Sequence, residues 1–82
     1  MTKEMIAEEL RRSIITVLPD LTAAEIDDDE RLVDLGANSI DRMEILALTL
    51  DALNIPIPLV KLAPIQQIGE LVNLLLREHY RA

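Results

Sequence analysis

Leu35-Gly36-Ala37-Asn38-Ser39-Ile40-Asp41-Arg42-Met43-Glu44 is the stretch from which the rest of the chain can be placed. Gly36 marks a turn. Asn38 and Asp41 have the spacing of a polar helix cap and an acidic third helical residue, and apolar residues then recur at a helical period. With Asn38 as the cap, Ser39 is the first helical residue and its hydroxyl points outward. A helix N-terminus offers free backbone N–H groups and the positive end of the macrodipole, so a phosphate is favoured there. The same serine is poorly equipped as a nucleophile, because that role needs a base within hydrogen-bond reach and the chain has a single histidine, His79, in a distant segment.

Working outward, this second helix is expected to run to about Leu53 and to stop before Asn54 and Ile55-Pro56-Ile57-Pro58. Upstream, Ile6, Leu10, Ile14, Val17 and Leu18 recur at spacings of three and four, which predicts an amphipathic first helix capped by Thr2 and ended by Pro19. From Asp20 to Asp34 the period lapses and acidic residues accumulate. That segment is expected to be a long surface connection anchored inward by Leu21, Ile26, Leu32 and Leu35, with Thr22 and Glu25 at capping-box spacing around one helical turn. Downstream, Leu59–Ala63 is long enough for one or two turns before Pro64. A closing helix from about Gln66 to His79 should then bury Ile68, Leu71, Val72, Leu75 and His79.

Composition agrees with an all-helical fold. Of 82 residues, 50% are hydrophobic but only 1% aromatic, so the core must be built from Leu, Ile and Val. A chain this short makes one small domain, residues 1–82. It has no cysteine, so thiol chemistry would have to arrive on a cofactor. The net charge of −7 opposes nucleic-acid binding and makes basic surfaces the natural complement. There is no basic-then-apolar leader at Met1 and no apolar stretch of membrane-spanning length, which implies a soluble protein and is consistent with the cytoplasm.

Stepping 100° per residue from Ser39 separates two apolar stripes on the second helix, one through Ile45, Leu46 and Leu53 and one through Ile40, Met43, Ala47 and Leu50. One stripe suffices for a core, so the second is expected to stay partly exposed as a partner-binding surface, with Asp41, Glu44 and Asp51 steering basic groups toward it. Burial of the helix on most sides is the plainer alternative.

Leu32-Val33-Asp34-Leu35-Gly36-Ala37-Asn38-Ser39-Ile40-Asp41 resembles the acyl carrier proteins of fatty-acid and polyketide synthesis, whose signature is a glycine, two residues and a modified serine in an acidic context. The likeness extends over nearly the whole chain. It implies a four-helix bundle with a long first loop and a short third helix. In it Ser39 would carry 4′-phosphopantetheine through a phosphodiester, with acyl groups held as thioesters on the arm. The protein would then be a non-catalytic carrier, monomeric, whose partner-binding residues are Asn38, Ile40, Asp41, Arg42, Met43, Glu44, Ala47 and Leu50.

Two positions depart from the common pattern. Asn38 stands where many carriers have Asp, and Arg42 is a cation in an acidic or neutral stretch, either a solvated helix residue or a selectivity determinant. The run Gly36–Arg42 is also similar to the free-standing donor carriers of polyketide β-branching cassettes, and a chain with its own Met1 suits a discrete carrier. That likeness implies a phosphopantetheinyl transferase, an acyltransferase, a ketosynthase-like decarboxylase and a 3-hydroxy-3-methylglutaryl (HMG) synthase-like enzyme as partners.

Other functions fit less well. A serine hydrolase is disfavoured because the glycines of a nucleophile elbow do not flank Ser39. Calcium binding at Asp27-Asp28-Asp29-Glu30 is disfavoured because Arg31 falls on a ligand position and the central glycine is missing. A helical adaptor without a covalent cofactor shares every feature except the motif.

Overall fold

The computed structural model describes residues 1–81. Three α-helices, α1 (Lys3–Val17), α2 (Ser39–Leu53) and α3 (Ile68–Arg81), are joined by connections that each contain one 3₁₀ turn, Ala23–Glu25 and Leu59–Lys61. The all-helical expectation holds. The short helix expected over Leu59–Ala63 is instead a single 3₁₀ turn, in which Leu62 N–H donates to Leu59 O at 2.9 Å and Ala63 N–H adds one α-type bond to the same oxygen at 3.0 Å. Pro58 precedes this turn and Pro64 follows it, so no room remains for a longer ladder.

The helix boundaries follow local chemistry. Thr2 caps α1 by accepting from Met5 N–H at 3.2 Å. At the other end Leu18 leaves the helical region, as a residue before proline must, while its N–H still reaches Ile14 O at 2.7 Å. Asn54 ends α2 in the left-handed conformation at φ 54°, and Ile55 N–H closes back onto Leu50 O at 3.1 Å in a Schellman-type stop. Around the first 3₁₀ turn the Glu25 carboxylate accepts from both the N–H and the hydroxyl of Thr22, at 3.0 Å each.

Twelve large aliphatic side chains are fully buried. Ile6, Leu10 and Ile14 come from α1, Ile45 and Leu46 from α2, and Ile68, Leu71, Val72 and Leu75 from α3, while Ile26, Leu32 and Leu62 come from the connections. Each contributes about 1.5–3 kcal/mol of burial, so the connections are part of the core and not ornaments on it. The Cα radius of gyration, 11.4 Å, is that of a compact chain of this length, about 12 Å, which places the long first loop against the helices.

That loop also sets where α3 begins. Leu32 N–H donates to Gln66 O at 3.0 Å, and the Glu30 and Asp28 carbonyls accept from Ile68 and Gly69 N–H at 2.9 Å each. The first free N–H groups of α3 are thus satisfied by the loop, and Gln67 pairs with Arg31 in an isolated antiparallel bridge. The closing helix therefore starts at Ile68, two residues later than its pattern suggests. At Gly69 an added Cβ would lie 3.2 Å from Asp28 O, so this close approach of two backbones uses the missing side chain. Arg11 holds the loop from α1: its Nε donates to Ile26 O at 3.0 Å and its other nitrogen meets Asp28 at 3.2 Å.

Candidate functional site

Ser39 occupies the first position of α2 and is exposed. Gly36, at φ +101°, turns the chain into the helix in a conformation that a side chain would strain. Ala37 is then buried beneath the turn, with its N–H donating to Leu32 O at 3.1 Å. Next comes a reciprocal cap: Asn38 Oδ1 accepts from Asp41 N–H at 2.8 Å, and Asp41 Oδ2 accepts from Asn38 N–H at 3.1 Å. These bonds leave the Ser39 hydroxyl outside the cap and the Ser39 and Ile40 N–H groups without an intrahelical acceptor. The hydroxyl is accessible, immobilised at its base, and set where a phosphate would meet the positive end of the helix dipole.

The exposed side of α2 carries Ile40, Glu44, Ala47, Leu48 and Asp51. Ile40 is the most open of the large apolar residues, 77% exposed, and Met43 lies at the edge of the face, half-buried against the core. Leu50, assigned to the same stripe by its period, is in the core at 8% exposure and forms the floor of a surface depression lined also by Ala47, Asp51, Asn54, Pro56 and Leu59. The stripe therefore divides along its length, open near Ser39 and closed near Asn54. Asp41 is half-buried in the cap, and Arg42 is half-buried with one guanidinium nitrogen donating to Ala63 O at 3.3 Å.

Sequence periodicity passed over Val60, which is 73% exposed on the 3₁₀ turn. An apolar residue between two prolines was the available signal. His79 is half-buried, edge-on to Tyr80 at 5.5 Å, and no hydrogen bond joins it to Ser39 among the described residues. Among those residues no cluster of acidic or histidine side chains is arranged to hold a metal ion, and no helix is long and apolar enough to cross a membrane.

Three similarities bear on this site. A family model described as the phosphopantetheine attachment site matches residues 3–75, a span that includes the whole of the loop, cap and exposed helix face. The chain is 40% identical over 75 residues to the polyketide biosynthesis acyl-carrier-protein AcpK of Bacillus subtilis strain 168, covering 92% of each. Its fold is similar to that of a chain in the crystal structure of the curacin biosynthetic pathway HMG synthase in complex with acetyl donor-ACP. The TM-score there is 0.83 and the identity 29%, over 92% of this chain and 96% of the other.

Proposed function

Because the chain belongs to the phosphopantetheine attachment-site family, we propose that Ser39 is the residue that takes 4′-phosphopantetheine, and that the chain works as a non-catalytic acyl carrier of polyketide biosynthesis. The observation that carries this reading is the serine itself: exposed, first in its helix, capped by neighbours on either side, and inside the matched span. The residues fit the group. Ser39 would supply the ester oxygen, the N–H groups of Ser39 and Ile40 have no intrahelical acceptor and would be free to bond a phosphate, and the Asp41 carboxylate already accepts from the Asn38 N–H. When bound, the arm supplies the thiol on which acyl groups are held as thioesters, which accounts for thiol chemistry in a chain without cysteine.

Within that class the role is that of the donor in β-branching. A malonyl group held on this carrier would lose carbon dioxide at a ketosynthase-like decarboxylase, a proton taking the place of the carboxylate on the same carbon, and the resulting acetyl group would be the donor for an HMG synthase-like enzyme. Its likeness to a chain in the crystal structure of an HMG synthase in complex with an acetyl donor-ACP supports this role. A phosphopantetheinyl transferase and an acyltransferase complete the partner set. Residues 1–82 form a single carrier domain, and the Leu59–Lys61 turn takes the place of the short third helix of a four-helix bundle. Partners dock on Ile40, Met43, Glu44 and Ala47 beside Asn38 and Asp41, with Leu50 supporting the face from below and Arg42 at its flank. Tethering then presents the cargo at high effective concentration once the protein surfaces meet.

Incubation with coenzyme A, magnesium and a broad-specificity phosphopantetheinyl transferase, followed by intact-protein mass spectrometry, tests the attachment. One arm's mass should be gained by the wild type and none by Ser39→Ala; no gain, or a gain that survives the substitution, refutes it. For the donor role, the acetyl-loaded chain should serve the synthase better than an ordinary fatty-acid carrier does, and equal use refutes it.

A further inference from the structure

Arg42 is on α2 but not on its exposed face. Residues three, four, seven and eleven positions beyond it, Ile45, Leu46, Thr49 and Leu53, are all buried, so Arg42 heads the inward stripe of the helix. A charged side chain there must find an acceptor or escape to water. It finds the carbonyl of Ala63, 3.3 Å away.

That carbonyl belongs to a segment with few other hydrogen bonds to the rest of the fold. Pro56, Pro58 and Pro64 have no N–H to donate. The bonds from Leu62 and Ala63 to Leu59 O, and from Ile65 to Leu62 O, close the turn on itself. Among the described residues, the Arg42 bond is the one hydrogen bond between residues 56–65 and α2. Leu62 is fully buried, and Ile57, Leu59 and Ile65 pack against the core around it, but aliphatic contacts resist sliding and rotation less than a directional bond does. The turn carries Val60, and it adjoins the exposed face of α2 at the depression shared by Ala47, Leu50 and Leu59.

We infer that Arg42 is a positioning residue: by bonding the Ala63 carbonyl it holds the Leu59–Lys61 turn against α2, so that Val60 and the exposed helix face are presented to partners as one rigid surface. Arg42 thus affects partner selection by holding the turn and without itself facing the partner. The partner half of this statement rests on the carrier reading; the effect on the turn does not.

The two halves are tested separately. Amide hydrogen exchange on the unmodified chain is compared for wild type, Arg42→Met, which keeps the aliphatic stem, and Arg42→Lys, which keeps a charged donor. The amides of Lys61, Leu62, Ala63 and Ile65 should exchange about tenfold faster in the Met variant and within about threefold of wild type in the Lys variant, with the centres of α1 and α3 unchanged. Unchanged turn amides in Arg42→Met overturn the inference whatever the chain carries.

The second measurement is a double-mutant cycle in the HMG synthase-like reaction, using acetyl-loaded carrier. Arg42→Met should raise KM for the carrier about tenfold and Val60→Ala about threefold, with kcat held within about twofold, and the double variant should match Arg42→Met alone. KM values that do not change, or effects that multiply, overturn the claim that the turn and helix act as one surface. A wild-type chain that gains no arm from coenzyme A would defeat the carrier reading while leaving the exchange result standing.

Discussion

Replacing Asn38 by Ala removes one defined interaction next to Ser39, so its consequence can be worked out from the structure. The substitution deletes the Oδ1 that accepts from Asp41 N–H at 2.8 Å and leaves Asp41 Oδ2 still accepting from the Asn38 N–H at 3.1 Å. Both bonds are at the surface, so water replaces the lost acceptor and no buried group is orphaned. The cost is that of one exposed cap, about 1 kcal/mol within the usual range of about 0.5–2. For a domain of this size it lowers Tm by about 4–8 °C.

Asn38→Asp behaves differently. The new carboxylate accepts the same bond and gains about 0.3–1 kcal/mol from the helix dipole, but faces Asp41 one turn away, and the two nearly cancel. Its Tm should fall within about 4 °C of wild type and shift with salt, whereas the Asn38→Ala loss should not. Phosphopantetheinylation slows less than about twofold in the Ala variant, because a loss of about 1 kcal/mol leaves the first turn formed in most molecules. Thermal unfolding by circular dichroism at low and high salt, with a timed mass-spectrometric assay of arm transfer, measures all of this. An Ala variant as stable as wild type, or an Asp variant as unstable as Ala, would refute the assignment of Asn38 as the cap.

Other substitutions isolate other parts of the fold. Gly36→Ala meets no atom within 4 Å, so its cost is that of the backbone at φ +101° alone, about 1–2 kcal/mol by urea unfolding; a neutral result would show that the turn relaxes freely. Arg11→Met should cost about 1–2 kcal/mol and lose little of that effect in about 1 M salt, because the bond to Ile26 O outweighs the exposed pairing with Asp28. Thr49→Val removes a fully buried hydroxyl whose partner is Ile45 O, 2.8 Å away. Since that carbonyl lies within the helical ladder, the change should stay within about 1 kcal/mol. Leu10→Ala empties a fully buried site at a cost of about 2–5 kcal/mol, a large part of the total stability of about 4–12 kcal/mol for a domain this size, and calorimetry should show it largely unfolded at 37 °C or markedly lower in Tm.

The features that could be deduced from sequence share a short range. The Thr2 and Asn38 caps, the stop at Pro19, the Gly36 turn and the extent of α2 from Ser39 to Leu53 all depend on residues within three or four positions of one another. Local sterics and hydrogen bonds decide such features before any tertiary contact forms. The anchors Ile26 and Leu32 were also recognisable, because an aliphatic side chain in an acidic loop is costly to leave in water.

What only the tertiary structure decided depends on which segments meet. α3 begins at Ile68 because loop carbonyls from Asp28 and Glu30 take its first N–H groups, residues about forty positions away in the chain. Periodicity put Leu50 and Ile40 on one stripe, but the Ile55–Leu59 segment folds over the far end and buries Leu50, leaving Ile40 open. Arg42 had a cation's choice of partners in the sequence, and the carbonyl it found was set by where the Pro58–Pro64 turn came to rest. Sequence by itself determined that there is a helix with a serine at its start; packing of distant segments determined what surrounds that serine, because a side chain's partner is fixed by proximity in space and the short-range code carries no record of it.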